Sequence, residues 1–316
     1  MKAYRKVGHA IACFAAYGFV LLLSVGCAAS NSPKQVDAPA EWGPTYSLTD
    51  GKVEVRVAPQ IGRVMHFSRV GEPNLLWTSP VSPPAKLGAF PNYGGDKLWP
   101  WPQDAWGWPP PKEISEGPYE RVNDAMSGPV EPRSGLRGVR SVSLGDRGLE
   151  SVYRLERASP ATNAKLTGST AAWSIVQVPP VDAVYVRLMK NRPAEPTTQM
   201  SKKPVTVEAI NDRWIKLTPN YTGTKIGLAG DLLAVRQGER VLVIERTEGN
   251  DDPDLERQVA AQIYFHDGDD GKPLPSTYVE LELIGPTKTL QIGQTAMLQT
   301  TWRILTPAEF DKLVNE

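Results

Sequence analysis

Cysteine is almost missing from this chain: there are two in 316 residues, Cys13 and Cys27. That excludes a disulfide scaffold and any multi-cysteine zinc or iron–sulfur site. Histidine is nearly as scarce, at three. Neither sign of charge dominates. Lys plus Arg and Asp plus Glu number 35 each, so the formal net charge is zero. With no basic surplus to hold phosphates, no nucleic-acid partner is expected. A nucleophile elbow, a Walker loop, a dinucleotide fingerprint and an HExxH pair are also lacking, so neither a cofactor nor a metal is expected. Long apolar runs are absent beyond one. Residues 10–25 are apolar apart from Ser24, about the length of a signal-peptide core and short for a membrane-spanning helix. What is abundant is 29 Pro, 27 Gly and 9 Trp. Many turns and many large flat side chains suggest an all-β protein with a ligand surface.

The apolar run follows Lys2, Arg5 and Lys6 and ends LSVGC at Cys27, then AAS. Small residues before a cysteine resemble a bacterial lipobox, with Ser24 standing where leucine is usual. The resemblance implies a signal peptide over 1–26, lipidation of Cys27 and a membrane anchor in the cell envelope. Simple secretion with cleavage near Ala28 or Ala29 is the alternative. By resemblance to enteric sorting rules, Ala28 after the cysteine leans to the outer membrane, facing the periplasm. Residues 27–41, small, polar and Pro-containing, read as the lipidated end and a tether.

From Trp42 the chain alternates. Residues 52–57 (KVEVRV) place Val53, Val55 and Val57 on one face and Lys52, Glu54 and Arg56 on the other, the period of a half-buried strand. Similar runs recur at 61–68, 139–144, 151–156, 171–178, 183–189, 205–210, 213–218, 232–236, 241–246, 259–265, 278–284 and 296–304. Gly, Asp and Pro turns separate them. So many short strands without a long helical period predict antiparallel sheets packed as a sandwich over 42–305. Thr306-Pro307-Ala308-Glu309 carries a capping residue, Pro at the first helical position and Glu at the third. That spacing predicts a short C-terminal helix over 307–314 within 306–316. A further helical turn is expected at 253–258.

One stretch is unlike ordinary scaffold. Between Pro80 and Pro132 lie 12 of the 29 prolines, and Trp99, Trp101, Trp106 and Trp108 fall within ten residues. Proline removes donors and fixes φ, which excludes a central strand and predicts a stiff loop crossing a sheet. Some of these indoles must be buried, because a loop exposing all four would be a sticky patch. They either plug the open side of a sandwich or form a sugar platform. Pyranose rings stack their C–H faces on indoles while polar groups bond the hydroxyls. Asn92, Asp96, Lys97, Gln103 and Asp104 stand beside the four tryptophans. In 278–284, alternation puts Tyr278, Glu280 and Glu282 on one face. Such a pair of carboxylates either faces solvent or serves a sugar.

VAPQIGRVMHF at 57–67, followed by NLLW at 74–77, is similar to the opening of galactose mutarotase-like proteins. YGGDKLWP at 93–100 resembles a phrase of an uncharacterised bacterial branch, the DUF4380 proteins, as do AWSIVQV at 172–178 and YVELELIGP at 278–286. The resemblance implies a large antiparallel two-sheet β-sandwich, the galactose mutarotase-like supersandwich, with a concave carbohydrate-binding face. It also implies possible aldose 1-epimerase chemistry, in which a mid-chain His and a late Glu share the acid and base roles. Glu280 fits the late carboxylate. Between His66 and His266 there is no histidine, and Gln177 occupies the strand where one is sought. His266, beside Asp267 at a strand end, is the candidate substitute; His66 is expected to be structural. The expected ligand residues are Asn92, Asp96, Lys97, Trp99, Trp101, Gln103, Trp106, Gln177 and Glu282, with Glu280 and His266 as catalytic candidates. Three functions compete: a carbohydrate-binding envelope lipoprotein, a sugar epimerase or other carbohydrate-active enzyme, and a non-catalytic structural lipoprotein. The acidic turns 251–254 and 267–271 lack the full ligand spacing of a calcium loop.

Overall fold

A computed structural model describes residues 33–82, 86–87, 90–122, 125–190, 197–200, 203–247 and 259–316. Cys27, the signal peptide expected over 1–26, the acidic turn at 251–254 and the helical turn expected at 253–258 lie outside the described residues.

Alternation becomes two large antiparallel sheets. One has ten strands, running in space Thr206–Ala209, Trp214–Thr218, Val184–Leu188, Gly230–Gln237, Arg240–Arg246, Thr295–Leu305, Gly148–Arg157, Leu136–Gly145, Ala125–Val130 and Glu120–Val122. The other has six: Thr197–Met200, Thr224–Leu228, Ala261–Phe265, Val279–Ile284, Ala171–Val178 and Asp96–Trp101. Their facing sides share one apolar core. Leu98, Val176, Ile263, Leu281 and Leu283 from the six-stranded sheet meet Tyr153, Val186, Leu233, Leu242, Leu298 and Trp302 from the ten-stranded one. This is the all-β sandwich that the period of two predicts.

A four-stranded sheet, Lys34–Val36, Thr45–Thr49, Val53–Ala58 and Arg63–Arg69, adds Val55, Val57, Val64 and Phe67 to the same core. Its first strand pairs Lys34 with Ser47 and Val36 with Thr45. The body therefore begins before residue 42, and residues 34–36 are strand where a tether was expected. The C-terminal helix is Pro307–Asn315 and carries the full capping box: Glu309 N–H donates to Thr306 Oγ1, and Thr306 N–H donates to Glu309 Oε2. Phe310 and Val314 cover Trp214, Leu232, Ala234, Val241 and Val243 on the outer face of the ten-stranded sheet.

The tryptophan-rich stretch corrects an expectation. Asp96–Trp101 is a strand, not a loop. It stands at the edge of the six-stranded sheet and, among the described residues, pairs only with Ala171–Val178. An edge strand has one unpaired side, so it tolerates Pro100 without losing a ladder bond. Gly94 and Gly95, at φ +89° and +68°, turn the chain into it. A Cβ on Gly95 would lie 2.4 Å from the Val64 carbonyl oxygen, so the approach needs glycine.

Candidate functional site

Strand parity splits the 96–101 segment. Asp96 and Leu98 face the sandwich core, while Lys97, Trp99 and Trp101 face the other side. The same parity presents Trp173, Ile175 and Gln177, then Tyr278, Glu280 and Glu282, then Gln262, Tyr264 and His266, then Lys225, on that outer side. Backbone register lines them up in rows. Gln177 sits opposite Glu280, Glu280 opposite Tyr264, and Tyr264 opposite Lys225. One step along, Lys97 faces Ile175, Ile175 faces Glu282, and Glu282 faces Gln262. Trp99 faces Trp173. Directly opposed residues in adjacent strands are about 5 Å apart, so the rows make a continuous patterned floor.

Over this floor opens a cavity of ≈ 960 Å³. Lys97, Trp99, Trp101, Gln103, Asp104, Trp108, Trp173, Lys225, Tyr264, His266, Tyr278 and Glu280 contribute to its lining. The aromatic wall is continuous. Trp99 meets Trp173 edge-on at 5.6 Å, Trp106 at 5.7 Å and Trp108 at 6.1 Å between ring centroids. Burying all four indoles would suit a plug. Instead Trp99 is buried and Trp108 remains 50% exposed at the mouth. Trp106 donates its indole N–H to the Pro100 carbonyl at 2.7 Å and buttresses Trp99 without reaching the cavity lining.

The charges on the floor are paired. Lys97 Nζ lies 2.8 Å from Glu280 Oε1 and 4.5 Å from the Trp99 ring centroid. Gln177 Nε2 donates to the same Oε1 at 2.9 Å. Both bonds fall on Oε1. Lys225 Nζ lies 3.0 Å from Glu282 Oε2 and 4.5 Å from the Trp173 ring centroid. Burial alone would raise both carboxyls. At Glu280 the two lysines and the Lys97 and Gln177 hydrogen bonds outweigh it and hold the group below its usual range. At Glu282 burial prevails over Lys225, and the Glu280 charge adds to it, so the group is pushed up to about 7. His266 is pulled down by burial, against the Asp267 carbonyl that its Nδ1 meets at 3.0 Å; its ring stacks on Tyr278 at 4.3 Å.

Glu282 gives a signed prediction. A carboxyl that titrates near 7 in the native state and near 4.5 when unfolded contributes stability that is full below pH 4.5 and is lost as pH rises through about 7. Urea midpoints of the native protein and Glu282→Gln, compared at pH 5 and pH 8, are expected to converge towards pH 8 if the variant starts lower, or to reverse. The difference between the two proteins isolates Glu282 from His66 and His266, whose lowered values act with the opposite sign.

Of the residues expected from sequence, Lys97, Trp99, Trp101, Gln103, His266 and Glu280 line the cavity. Gln177 and Glu282 lie in its floor, bonded or paired to lining residues. Asn92 is buried and does not line the cavity. Asp96 is not in the site. It is fully buried on the core side, where Tyr153 Oη donates to Oδ2 at 2.7 Å, Val64 N–H to Oδ1 at 2.6 Å, and Arg140 grips both oxygens. One residue of parity separates it from Lys97. His66 bonds Ser68 Oγ in the four-stranded sheet, away from the cavity. Sequence reasoning missed Lys225, Tyr264 and the lining role of Trp173. Trp173 was accessible through its i+4 relation to Gln177 on one strand. Lys225 had no signal, since its five-residue strand TKIGL contains a glycine and shows no clear alternation. Among the described residues no cluster of His, Cys, Asp and Glu has the arrangement of a metal site, the turn at 267–271 included.

The fold defines a class. Several solved structures that match along most of their length are described as mutarotases or galactose mutarotase-like. The candidate mutarotase YeaD from Salmonella typhimurium superposes with a TM-score of 0.53 at 14% identity, over 87% of this chain and 93% of that one. A galactose mutarotase-like protein from Clostridium acetobutylicum gives 0.52 at 10% identity, over 87% and 98%. A galactose mutarotase related enzyme from Lactobacillus acidophilus gives 0.50 at 9%, over 83% and 98%. At such identities the likeness is one of fold. No family model matches the sequence, and no curated protein does. The chain thus has a galactose mutarotase-like β-sandwich fold with an aromatic, charge-paired cavity on the outer side of its six-stranded sheet.

Proposed function

We propose that this chain is an envelope lipoprotein, anchored through Cys27, that binds carbohydrate in the cavity over the six-stranded sheet. One observation carries the reading: flat indole faces and paired polar groups share a single large recess. Apolar walls with a few placed polar groups are the usual make-up of a small-molecule site, and ≈ 960 Å³ is at the upper end of such volumes. Trp101 and Trp108 offer stacking planes near the mouth, and Gln103, Lys97, Lys225, Glu280 and His266 offer hydroxyl partners. The mutarotase names of the fold neighbours agree with a sugar ligand. Assignment to the DUF4380 branch and an outer-membrane, periplasm-facing location rest on the sequence resemblances alone.

Calorimetry against a broad panel of neutral and acidic oligosaccharides tests the proposal. Trp108→Ala removes a half-exposed ring, so the melting temperature should stay within about 2 °C. Affinity should fall roughly tenfold, the order of a lost stacking contact. Absence of binding to any saccharide by the folded protein would reject the reading. Epimerisation is the second reading, since Glu280 and His266 line one cavity. Against it, Glu280 is held as an ion pair with Lys97, and Gln177 fills the place of a proton donor. Polarimetry on fresh α-galactose and α-glucose is expected to show no acceleration over buffer; a rate abolished by Glu280→Gln would reverse that order.

A further inference from the structure

The cavity is longer than one sugar ring, and backbone register gives its extent. Trp99, Trp173 and Ile284 form one row across the sheet, and Trp101 stands two residues beyond it. Tyr264 shares a row with Glu280, which is four residues from Ile284 on its strand. Trp101 and Tyr264 are thus six residues apart along the strands, about 20 Å, and three strand spacings apart across them, about 14 Å. A pyranose ring covers about one strand spacing of such a floor. The volume of ≈ 960 Å³ agrees with that extent. It lies at the upper end of sites for drug-sized ligands, and one hexose would leave most of it to water.

The accessible groups of the lining fall at its two ends. At one end Trp101 and Gln103 are half-buried and Trp108 is exposed. At the other Lys225, Tyr264 and His266 are half-buried. Between them Lys97, Trp99, Trp173 and Glu280 are buried. This middle is occupied with itself: Lys97 bonds Glu280 at 2.8 Å, and Trp99 packs edge-on against Trp173 at 5.6 Å. The ends also differ in chemistry. Trp101 and Trp108 offer flat apolar faces to sugar C–H groups, whereas Lys225, Tyr264 and His266 offer hydrogen-bonding groups to hydroxyls. One ring can reach either end but not both.

We infer that the ligand is a linear oligosaccharide of about three units, with one terminal ring among Lys225, Tyr264 and His266 and the other against Trp101 and Trp108. The inference rests on the reading that this cavity takes a saccharide, and it names the class by length. Linked rings make the second contact intramolecular, so translational freedom is lost once for both ends. A monosaccharide engages one end and gains nothing from the other. The hydrogen-bonding end is the one it takes, because it presents more polar partners to a single ring.

The test is calorimetry on the detergent-solubilised full chain with gluco-, galacto-, manno- and xylo-oligosaccharides of one to five units. In the series that binds best, affinity should rise at least tenfold from one unit to three and then level off. Trp108→Ala should lower the ratio of trisaccharide to monosaccharide affinity about tenfold, the order of a lost stacking contact. Tyr264→Phe, which keeps the ring and removes the hydroxyl, should weaken both ligands and leave that ratio as it is. Because the length series is measured on the unaltered protein, it decides even where a variant fails to fold. A monosaccharide that binds within about threefold of its own trisaccharide would overturn the extended ligand and leave saccharide binding standing. A rise continuing undiminished to five units would overturn the bounded length. Binding of none of the series by the folded protein would overturn both readings.

Discussion

Asp96→Ala is expected to lower the unfolding free energy by about 3–5 kcal/mol, the cost of stripping one partner from a buried ion pair. Asp96 and Arg140 are both fully buried, and Arg63, fully buried as well, lies in the same pocket of the core. The second guanidinium is tied to carbonyls only, donating to Gly94 at 2.8 Å and Ser115 at 3.2 Å, and burial lowers it to about 10. The Asp96 carboxylate thus pairs with Arg140 and also acts on Arg63, where Glu116 adds to it. Removing the Asp96 carboxylate also strands the Tyr153 hydroxyl and the Val64 N–H. Asp96→Asn keeps the shape and loses the charge, and should recover only part of the deficit. Urea denaturation measures both. A loss under about 1 kcal/mol for Asp96→Ala would show that water or a neighbour replaces the carboxylate, contrary to this account.

Trp99→Ala should cost about 3–5 kcal/mol as a large-to-small change in a packed cluster. Trp99 is the hub of the wall, with edge contacts to Phe90, Trp106, Trp108 and Trp173 and the Lys97 ammonium over its face. Its loss removes the shared partner of both the mouth and the floor. Saccharide binding should fall more than a hundredfold, beyond the loss expected for Trp108→Ala. Thermal melting and calorimetry on the two variants separate the roles. A Trp99→Ala protein that binds as well as the unaltered chain would show that the wall is packing and not a platform.

Much of this was legible. The KVEVRV alternation and its later counterparts mark strands that the structure contains, and Thr306 with Glu309 marks the helix start. Parity in 278–284 grouped Tyr278, Glu280 and Glu282, and the structure keeps that grouping. The same rule separates Asp96 from Lys97 by one residue, but prolines at 100 and 102 disguised the segment as a loop, so both were placed with the ligand. Of the two faces open to the Glu pair, the solvated one does not hold: Glu280 and Glu282 are buried and paired with two lysines from strands remote in sequence.

By itself the sequence determined the period of two, the turns, the capping box and the presence of an aromatic segment unlike scaffold. It did so because each follows from local sterics and from contacts within a few residues. Only the tertiary structure decided which face of the six-stranded sheet meets the core and which meets the cavity. Alternation says that two faces differ. Where both are buried, one under aliphatics and one under indoles, it cannot name the inner one. The pairing of Lys97 with Glu280 and of Lys225 with Glu282 likewise depends on strand order, and strand order is set by packing across the whole sandwich.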